Sequence, residues 1–169
     1  MTTTIDDTQI ALAALHAMGS GTLADLTALY TSDCVNREAK DEPPETRGGG
    51  PAAMYATAEW LRHAFSDLAW EVHDVVHADD LVVVHATMSG RQTGPFVGYG
   101  PDGTVKVAFP PRGRRFAITQ THWLRMRDGK VAEHWANRDD LGMAEQLGWT
   151  PPSPVYLVRM LLARRRAQR

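Results

Sequence analysis

The sequence predicts an α+β domain in which helices come first and an antiparallel meander of strands follows. Apolar residues recur at helical spacing through the first third of the chain, and after Asp67 the spacing switches to the alternation of extended strands. The candidate strands are separated by the short acidic turn Asp79-Asp80 and by Asp128-Gly129. Turns this short join hairpins, whereas βαβ units need crossover helices.

In chain order, Ile10, Ala11, Ala14, Leu15 and Met18 line one face of a helix over residues 7–18, stopped by Gly19-Ser20-Gly21. Thr22 is placed to cap a second short helix carrying Leu23, Leu26, Leu29 and Tyr30. Residues 33–50 hold paired prolines, mixed charges and three consecutive glycines, and read as a long lid or binding loop. Pro51 suits the first position of a third helix with Met54, Ala58, Leu61 and Phe65 on one face. Residues 70–77 and 81–88 form a hairpin rich in β-branched residues. Residues 90–113, full of Gly and Pro, hold a broken strand and a loop. Residues 116–127 and 131–137 form a second hairpin, and residues 142–149 a short helix. The division is one domain over residues 5–149 and a proline-led basic helical tail over 150–169. The tail is read as lying on its own subunit or across a dimer, with a membrane-surface helix as the less favoured alternative.

Composition excludes several classes. A length of 169 residues, 43% hydrophobic and 22% charged, fits one globular domain. The formal charge of -2 gives no general case for nucleic acid. A single cysteine, Cys34, precludes an internal disulfide or a cysteine-based zinc cluster. The N-terminal stretch has no signal-peptide pattern, and no run approaches the length of a membrane span, so a cytoplasmic protein without membrane or nucleic-acid partners is expected. Gly48-Gly49-Gly50 lacks the lysine and spacing of a phosphate loop, and no serine lies in a nucleophile elbow. A metal held by His122, His85 and Asp139 is disfavoured because no helical ligand pair is present, and no cofactor is expected.

The chemistry is sought at the end of the last strand. Uninterrupted alternation puts Trp135, Asn137 and Asp139 on one face, a pocket wall turning polar toward its end, and His134, Ala136 and Arg138 on the other. A carboxylate facing an apolar cavity can act as general base and acid. The competing reading is a helix cap, and the adjacent acids allow a division: Asp139 in the pocket, Asp140 as cap. In the preceding strand Ile118, Gln120, His122 and Leu124 share a face, so Gln120 and His122 join the same cavity if register allows. His85 lies in a strongly apolar strand and needs a partner.

Glu133-His134-Trp135, then Asp139, Leu141-Gly142 and Gln146-Leu147-Gly148, resemble the end of SnoaL-like polyketide cyclases (ester cyclases). Asp33-Cys34-Val35-Asn36-Arg37-Glu38 is similar to that family's Asp-x-Val-Asn-His-Glu segment, with Arg37 in place of the histidine. The stretch from Thr87 to Gly94 resembles its Gly-Thr-His-x-Gly region, with Gln92 where the histidine would be and His85 where an arginine is common. The resemblance covers roughly residues 10–149. It implies a nuclear-transport-factor-2-like cone, a curved antiparallel sheet wrapped around N-terminal helices over a deep pocket. It also implies cofactor-free acid–base chemistry on a hydrophobic, oxygenated, natural-product-like small molecule, with intramolecular aldol-type ring closure foremost. On this reading Asp139 is the acid–base residue and His122 its partner or oxyanion donor. Asn137, Gln120, His85, Asn36 and Arg37 contact substrate, and Trp135 forms apolar wall. The alternative is a non-catalytic binding or dimerising domain with Asp139 paired to Arg138 or Arg37. An epoxide-opening hydrolase or cyclase is a third reading. A homodimer is expected, with Trp123 and His134 near the contact, because a sheet covered on one side tends to bury its other face against another subunit.

Overall fold

The structure, a computed structural model, describes residues 6–168. The first five residues and Arg169 lie outside the described residues, so the reading of the N-terminal leader and the outer limits of the two segments do too. Helices α1 (Asp7–Ser20) and α2 (Leu23–Leu29) lead into strand β1 (Tyr30–Asn36). Two 3-10 turns, Ala39–Asp41 and Pro44–Arg47, precede helix α3 (Pro51–Ala64). Then come β2 (Phe65–Ala78), β3 (Leu81–Gln92), β4 (Phe96–Tyr99), β5 (Val105–Phe109), β6 (Arg115–Arg127) and β7 (Lys130–Arg138). Helices α4 (Asp140–Leu147) and α5 (Pro154–Ala167) close the chain.

The main sheet runs β1-β7-β6-β3-β2 and is open at both edges. Its four later strands pair antiparallel as expected, but β1 pairs parallel with β7, so the sheet is mixed. That edge strand falls where the sequence reads as helix end and loop: Tyr30 follows a helical stripe, and the polar residues 31–33 carry no strand signal. β2 also begins earlier than expected, at Phe65, whose backbone has left the helix (φ -128°, ψ 132°). Both expected turns form, with Asp79, Asp128 and Gly129 at positive φ.

Local chemistry fixes the helix starts. Asp6 caps α1 through the Thr8 N–H, and Thr22 with Asp25 closes a capping box on α2. Small residues Ala11, Ala14 and Ala17 bring α1 close to the sheet, where Leu15 and Met18 share one core with the inward residues of β3 and β6. β3 alternates without interruption, with Val82, Val84, Ala86 and Met88 inside. Cys34 on β1 is buried, its carbonyl taking the Gly50 N–H at 2.8 Å, and burial pushes its thiol up to about 11. The tail docks onto the domain: Tyr156 is buried with its hydroxyl donating to the Pro110 carbonyl at 3.0 Å, and Arg164 reaches the Val105 carbonyl.

Candidate active site

Two adjoining chambers lie between α3, the inner sheet face and the segment after β1. The inner one, about 70 Å³, is bounded by Tyr30, Met54, Trp70, His122 and His134. The outer one, about 410 Å³, is bounded by Phe96, Phe109, Met143 and Trp149. Glu38, Glu42, Trp60, Leu61, Met88, Gln120 and Arg138 belong to both and form the seam. A larger open groove, about 980 Å³, runs between α3, the β4–β5 hairpin and α5. Among the described residues, the buried polar side chains are Glu42, Thr46, Thr57, Gln92, Gln120 and His122. Four of them line the inner chamber and none lines the groove, so the chambers are where polar groups have been desolvated for a purpose.

The aromatic wall of the outer chamber is stacked: Trp149 lies 4.3 Å from Phe109 and 5.2 Å from Phe96, and Trp60 packs on Phe96 at 4.7 Å. Gln92, fully buried, ties this wall together by accepting from Trp149 Nε1 at 3.2 Å and donating to the Phe109 carbonyl at 2.9 Å.

A chain of polar contacts crosses the inner chamber, and donor logic assigns its protons. Trp70 Nε1 can only donate, so Gln120 Oε1, 3.2 Å away, accepts. His122 Nε2, 2.8 Å from the same oxygen, must therefore carry a hydrogen. Burial and then the neighbouring His134 hold the His122 pKa well below its ordinary value, so the ring is neutral and its Nδ1 is an acceptor. His134 Nε2, 3.0 Å away, supplies that hydrogen, and burial with Arg138 nearby lowers the His134 pKa to about 4. On its far side His134 Nδ1, which carries no hydrogen in this tautomer, lies 3.3 Å from Asn36 Oδ1, an oxygen already receiving the Glu38 N–H, so the run of shared hydrogens from Gln120 ends at His134. Asn36 leads through its amide to Thr57, whose hydroxyl donates to Glu42 Oε2 at 2.6 Å. Among the described residues, Gln120's own amide group has only the sulfur of Met88, 3.1 Å away, as acceptor.

The structure therefore gathers His122, Gln120 and Asn36 as expected and separates the remaining candidates. The cause is a β-bulge. Arg127 and Lys130 pair across the turn, as do Met126 and Val131, but Arg125 pairs with Glu133, leaving Ala132 as an extra residue. Val131 and Ala132 are both buried, and every later side chain of β7 is flipped relative to uninterrupted alternation. His134, Ala136 and Arg138 thus face the chambers, Ala136 directly opposite His122. Trp135 lies on the outer face, stacked on Trp123 at 6.1 Å with the Arg37 guanidinium 4.9 Å over it. Asn137 is exposed and accepts from Trp123 Nε1, and Arg37 pairs with Glu133. His85 is also on the outer face, 3.4 Å from Asp74 and beside His73, because β3 turns its odd-numbered residues outward.

The two acids exchange the places expected of them. Asp139 is exposed, lies outside both chamber walls and caps α4, with Oδ1 accepting the Gly142 N–H at 2.8 Å. Gly142 is required there, since a Cβ would stand 2.1 Å from Asp139 Oδ2. Asp140 lies at the outer chamber, 3.5 Å from Arg138. His122, His85 and Asp139 stand in three different places: the chamber, the outer face and the α4 cap. Sequence reasoning missed Glu42, Thr57 and Arg138. Glu42 is 3% exposed, and burial raises its pKa against the opposing effects of Thr57 and Arg138. Its only sequence signal is a place in the loop read as a lid, ahead of Pro43-Pro44.

Comparison with known proteins completes the picture. The family model described as SnoaL-like polyketide cyclase matches residues 8–147. The chain is 32% identical over 142 residues to aklanonic acid methyl ester cyclase DauD of Streptomyces sp. strain C5, covering 83% of this chain and 80% of that protein. It is 29% identical over 135 residues to nogalonic acid methyl ester cyclase of Streptomyces nogalater, covering 79% and 91%. Among solved structures it is similar to TsrD from Streptomyces laurentii, with a TM-score of 0.66, 28% identity, and coverage of 83% and 92%.

Proposed function

We propose, from the premise that this chain belongs to the SnoaL-like polyketide cyclase family, that it closes a ring in a polycyclic, oxygenated polyketide ester held across the two chambers. The observation that carries this is the Gln120 amide group: buried at the seam of an aromatic-walled cavity, with a thioether as its one acceptor. A thioether is a weak acceptor, so a substrate carbonyl gains a hydrogen bond there at little cost to the protein.

The proposed reaction is an intramolecular aldol closure. A proton leaves the carbon beside one carbonyl, and the resulting enolate attacks a second carbonyl carbon of the same molecule. The new C–C bond sends the carbonyl π pair to oxygen, and that oxygen recovers the proton. Substrate and product have the same formula, so proton transfer and positioning suffice. Gln120 donates to the developing oxyanion, His122 holds the Gln120 oxygen so that the amide group points inward, and Arg138 at the seam attracts an ester or acid oxygen. The stacked wall of Trp149, Phe109 and Phe96 holds a planar ring system with its reacting ends together.

Asp139 stays the acid–base residue by resemblance, and its carboxylate also secures the start of α4, whose Met143 and Ala144 line the outer chamber. The outer sheet face, with the Trp123–Trp135 stack and exposed Val35 and Val76, is proposed as the contact of a homodimer. His134 belongs to the chamber and not to that contact. Among the described residues no helix is long and apolar enough to cross a membrane.

The test is incubation of purified protein with aklanonic acid methyl ester and with nogalonic acid methyl ester. A product of unchanged mass and altered retention is expected, and Gln120→Leu should abolish it. Absence of any mass-neutral conversion of these esters or of ring-substituted relatives would remove the cyclase reading.

A further inference from the structure

A ligand in the chambers meets few buried groups still free to bond with it. The Gln120 amide group is one, since its partner is only the Met88 sulfur. The Trp60 indole is spent on the Val97 carbonyl at 2.9 Å, and both ring nitrogens of His122 are engaged, Nε2 with Gln120 and Nδ1 with His134. Among the acids at the chamber walls, Asp41 and Asp140 are exposed and Glu38 is half-buried.

Glu42 is the other. Among the described residues it is the one buried carboxyl, and it stands at the seam with Gln120, in contact with both chambers. Thr57 on α3 donates to Oε2 at 2.6 Å, while the nearby Thr46 hydroxyl is committed to the Pro43 carbonyl at 2.7 Å. That leaves Oε1 without a dedicated donor. Among the described residues, the sealed side-chain atoms lacking a partner are Thr31 Oγ1 and Arg47 Nε, so Glu42 Oε1 is not sealed and opens on the chambers. A carboxylate can only accept, and this one has acceptor capacity to spare. Its backbone is clamped: the Arg47 guanidinium donates to the Glu42 carbonyl at 3.0 Å, to Gly100 at 2.7 Å and to Pro101 at 2.9 Å. The carboxyl is therefore held from two sides. The charged groups facing it are Arg138 from β7, which attracts, and Glu38 from the segment after β1, which repels.

We propose that Glu42 selects substrates by a ring hydroxyl, whose hydrogen its free oxygen accepts while the Gln120 amide group donates to a carbonyl of the same ring system; this rests on the cyclase reading above. The two groups are opposite in sense, one acceptor and one donor. Together they read a substrate edge that carries both a hydroxyl and a carbonyl, and they fix which way round a planar system lies against the stacked wall of Trp149, Phe109 and Phe96. The role is recognition, and it leaves acid–base catalysis with Asp139, where the resemblance puts it. A hydrogen bond to a charged acceptor is about twice as strong as one between neutral groups. A methoxy group in place of the hydroxyl brings no hydrogen and sets a methyl against a desolvated carboxylate. A site built around a buried polar group rejects such an analogue far more strongly than an apolar pocket rejects an extra methyl. Thr57 is then the positioning residue that holds Oε2 so that Oε1 faces the chambers.

Two planar probes that cannot cyclise test this, 2-hydroxyanthraquinone and 2-methoxyanthraquinone, with binding read from quenching of tryptophan fluorescence at pH 6. Wild-type protein is expected to bind the hydroxyl form about 10–100-fold more tightly. In Glu42→Gln the amide oxygen still accepts from Thr57 and the NH2 turns to the ligand, where it treats hydroxyl and ether oxygens alike. The two probes should then bind within about threefold of each other. A merely structural Glu42 would not produce the second readout, the carboxyl carbon signal of Glu42 in protein labelled with carbon-13 at glutamate Cδ. The hydroxyl probe should lower the pH at which this carbon titrates, because donation favours the charged form, and the methoxy probe should not. Wild-type affinities within about threefold overturn the assignment without need of any variant, as does a Glu42 signal that titrates alike with both probes. Failure of either probe to bind at all overturns it too, since a planar ring would then not lie at the seam. Wild-type protein inert toward both methyl esters sinks the cyclase reading instead, and the affinity ratio still decides what Glu42 recognises.

Discussion

Replacing Gln120 with leucine removes one oxygen on which two buried donors depend, Trp70 Nε1 at 3.2 Å and His122 Nε2 at 2.8 Å. Leucine has nearly the volume of glutamine and cannot accept. Each orphaned donor costs about 1–3 kcal/mol, and the more apolar side chain offsets about 1 kcal/mol, leaving a net loss of roughly 1–5 kcal/mol. The coupling is more diagnostic than the total. In a Trp70→Phe background one donor is already gone, so Gln120→Leu should cost less there by about 1–3 kcal/mol. Urea unfolding followed by far-UV circular dichroism measures all four corners of this cycle without relying on the altered tryptophan. Additivity within about 0.5 kcal/mol would refute the shared-acceptor arrangement and with it the tautomer assigned to His122.

Acid should destabilise the fold in a defined window. The folded pKa of His134 is about 4 and that of His122 is also depressed, so the unfolded chain binds more protons below about pH 6.5. Stability is complete above that pH and falls toward pH 4, by roughly 3 kcal/mol for His134 alone; urea midpoints between pH 6.5 and 5 should drop steeply in wild type and less in His134→Gln. Asp139→Ala should cost about 1 kcal/mol as a lost cap, whereas Asp139→Asn should keep stability and lose turnover; full turnover in the Asp139→Asn enzyme would take the base role from Asp139. Light scattering should give the mass of a dimer, shifted toward monomer by Trp135→Glu, and a wild-type monomer at micromolar concentration would contradict the outer-face contact.

The order of elements was legible because Asp79-Asp80 and Asp128-Gly129 are local signals. The chamber face of β6 was legible too, since Gln120 and His122 sit between apolar Ile118 and Leu124. On β7 the same logic inverted, because one bulged alanine exchanges the faces and nothing in Val131-Ala132-Glu133 announces it. A tryptophan outside and an arginine inside also oppose the usual sorting by hydrophobicity. β1 was illegible because its pairing is to a segment some hundred residues later, so its polar residues satisfy no local pattern. Glu42 could not be found from spacing at all: it is buried against Thr57 of α3, and its segment is anchored through Arg47 to Gly100 and Pro101, more than fifty residues later.

Cys34 gives the protein a built-in clock. With a thiol pKa of about 11, only about one molecule in a thousand carries a thiolate at pH 8, and Cys34 as a whole is 2% exposed. A conjugated, electrophilic polyketide therefore meets no reactive sulfur while β1 stays in place. The same silence makes alkylation a measure of how often the edge strand detaches from β7. Labelling that is faster than global unfolding allows would show the first strand leaving alone, and would time the opening of the wall that carries Asn36.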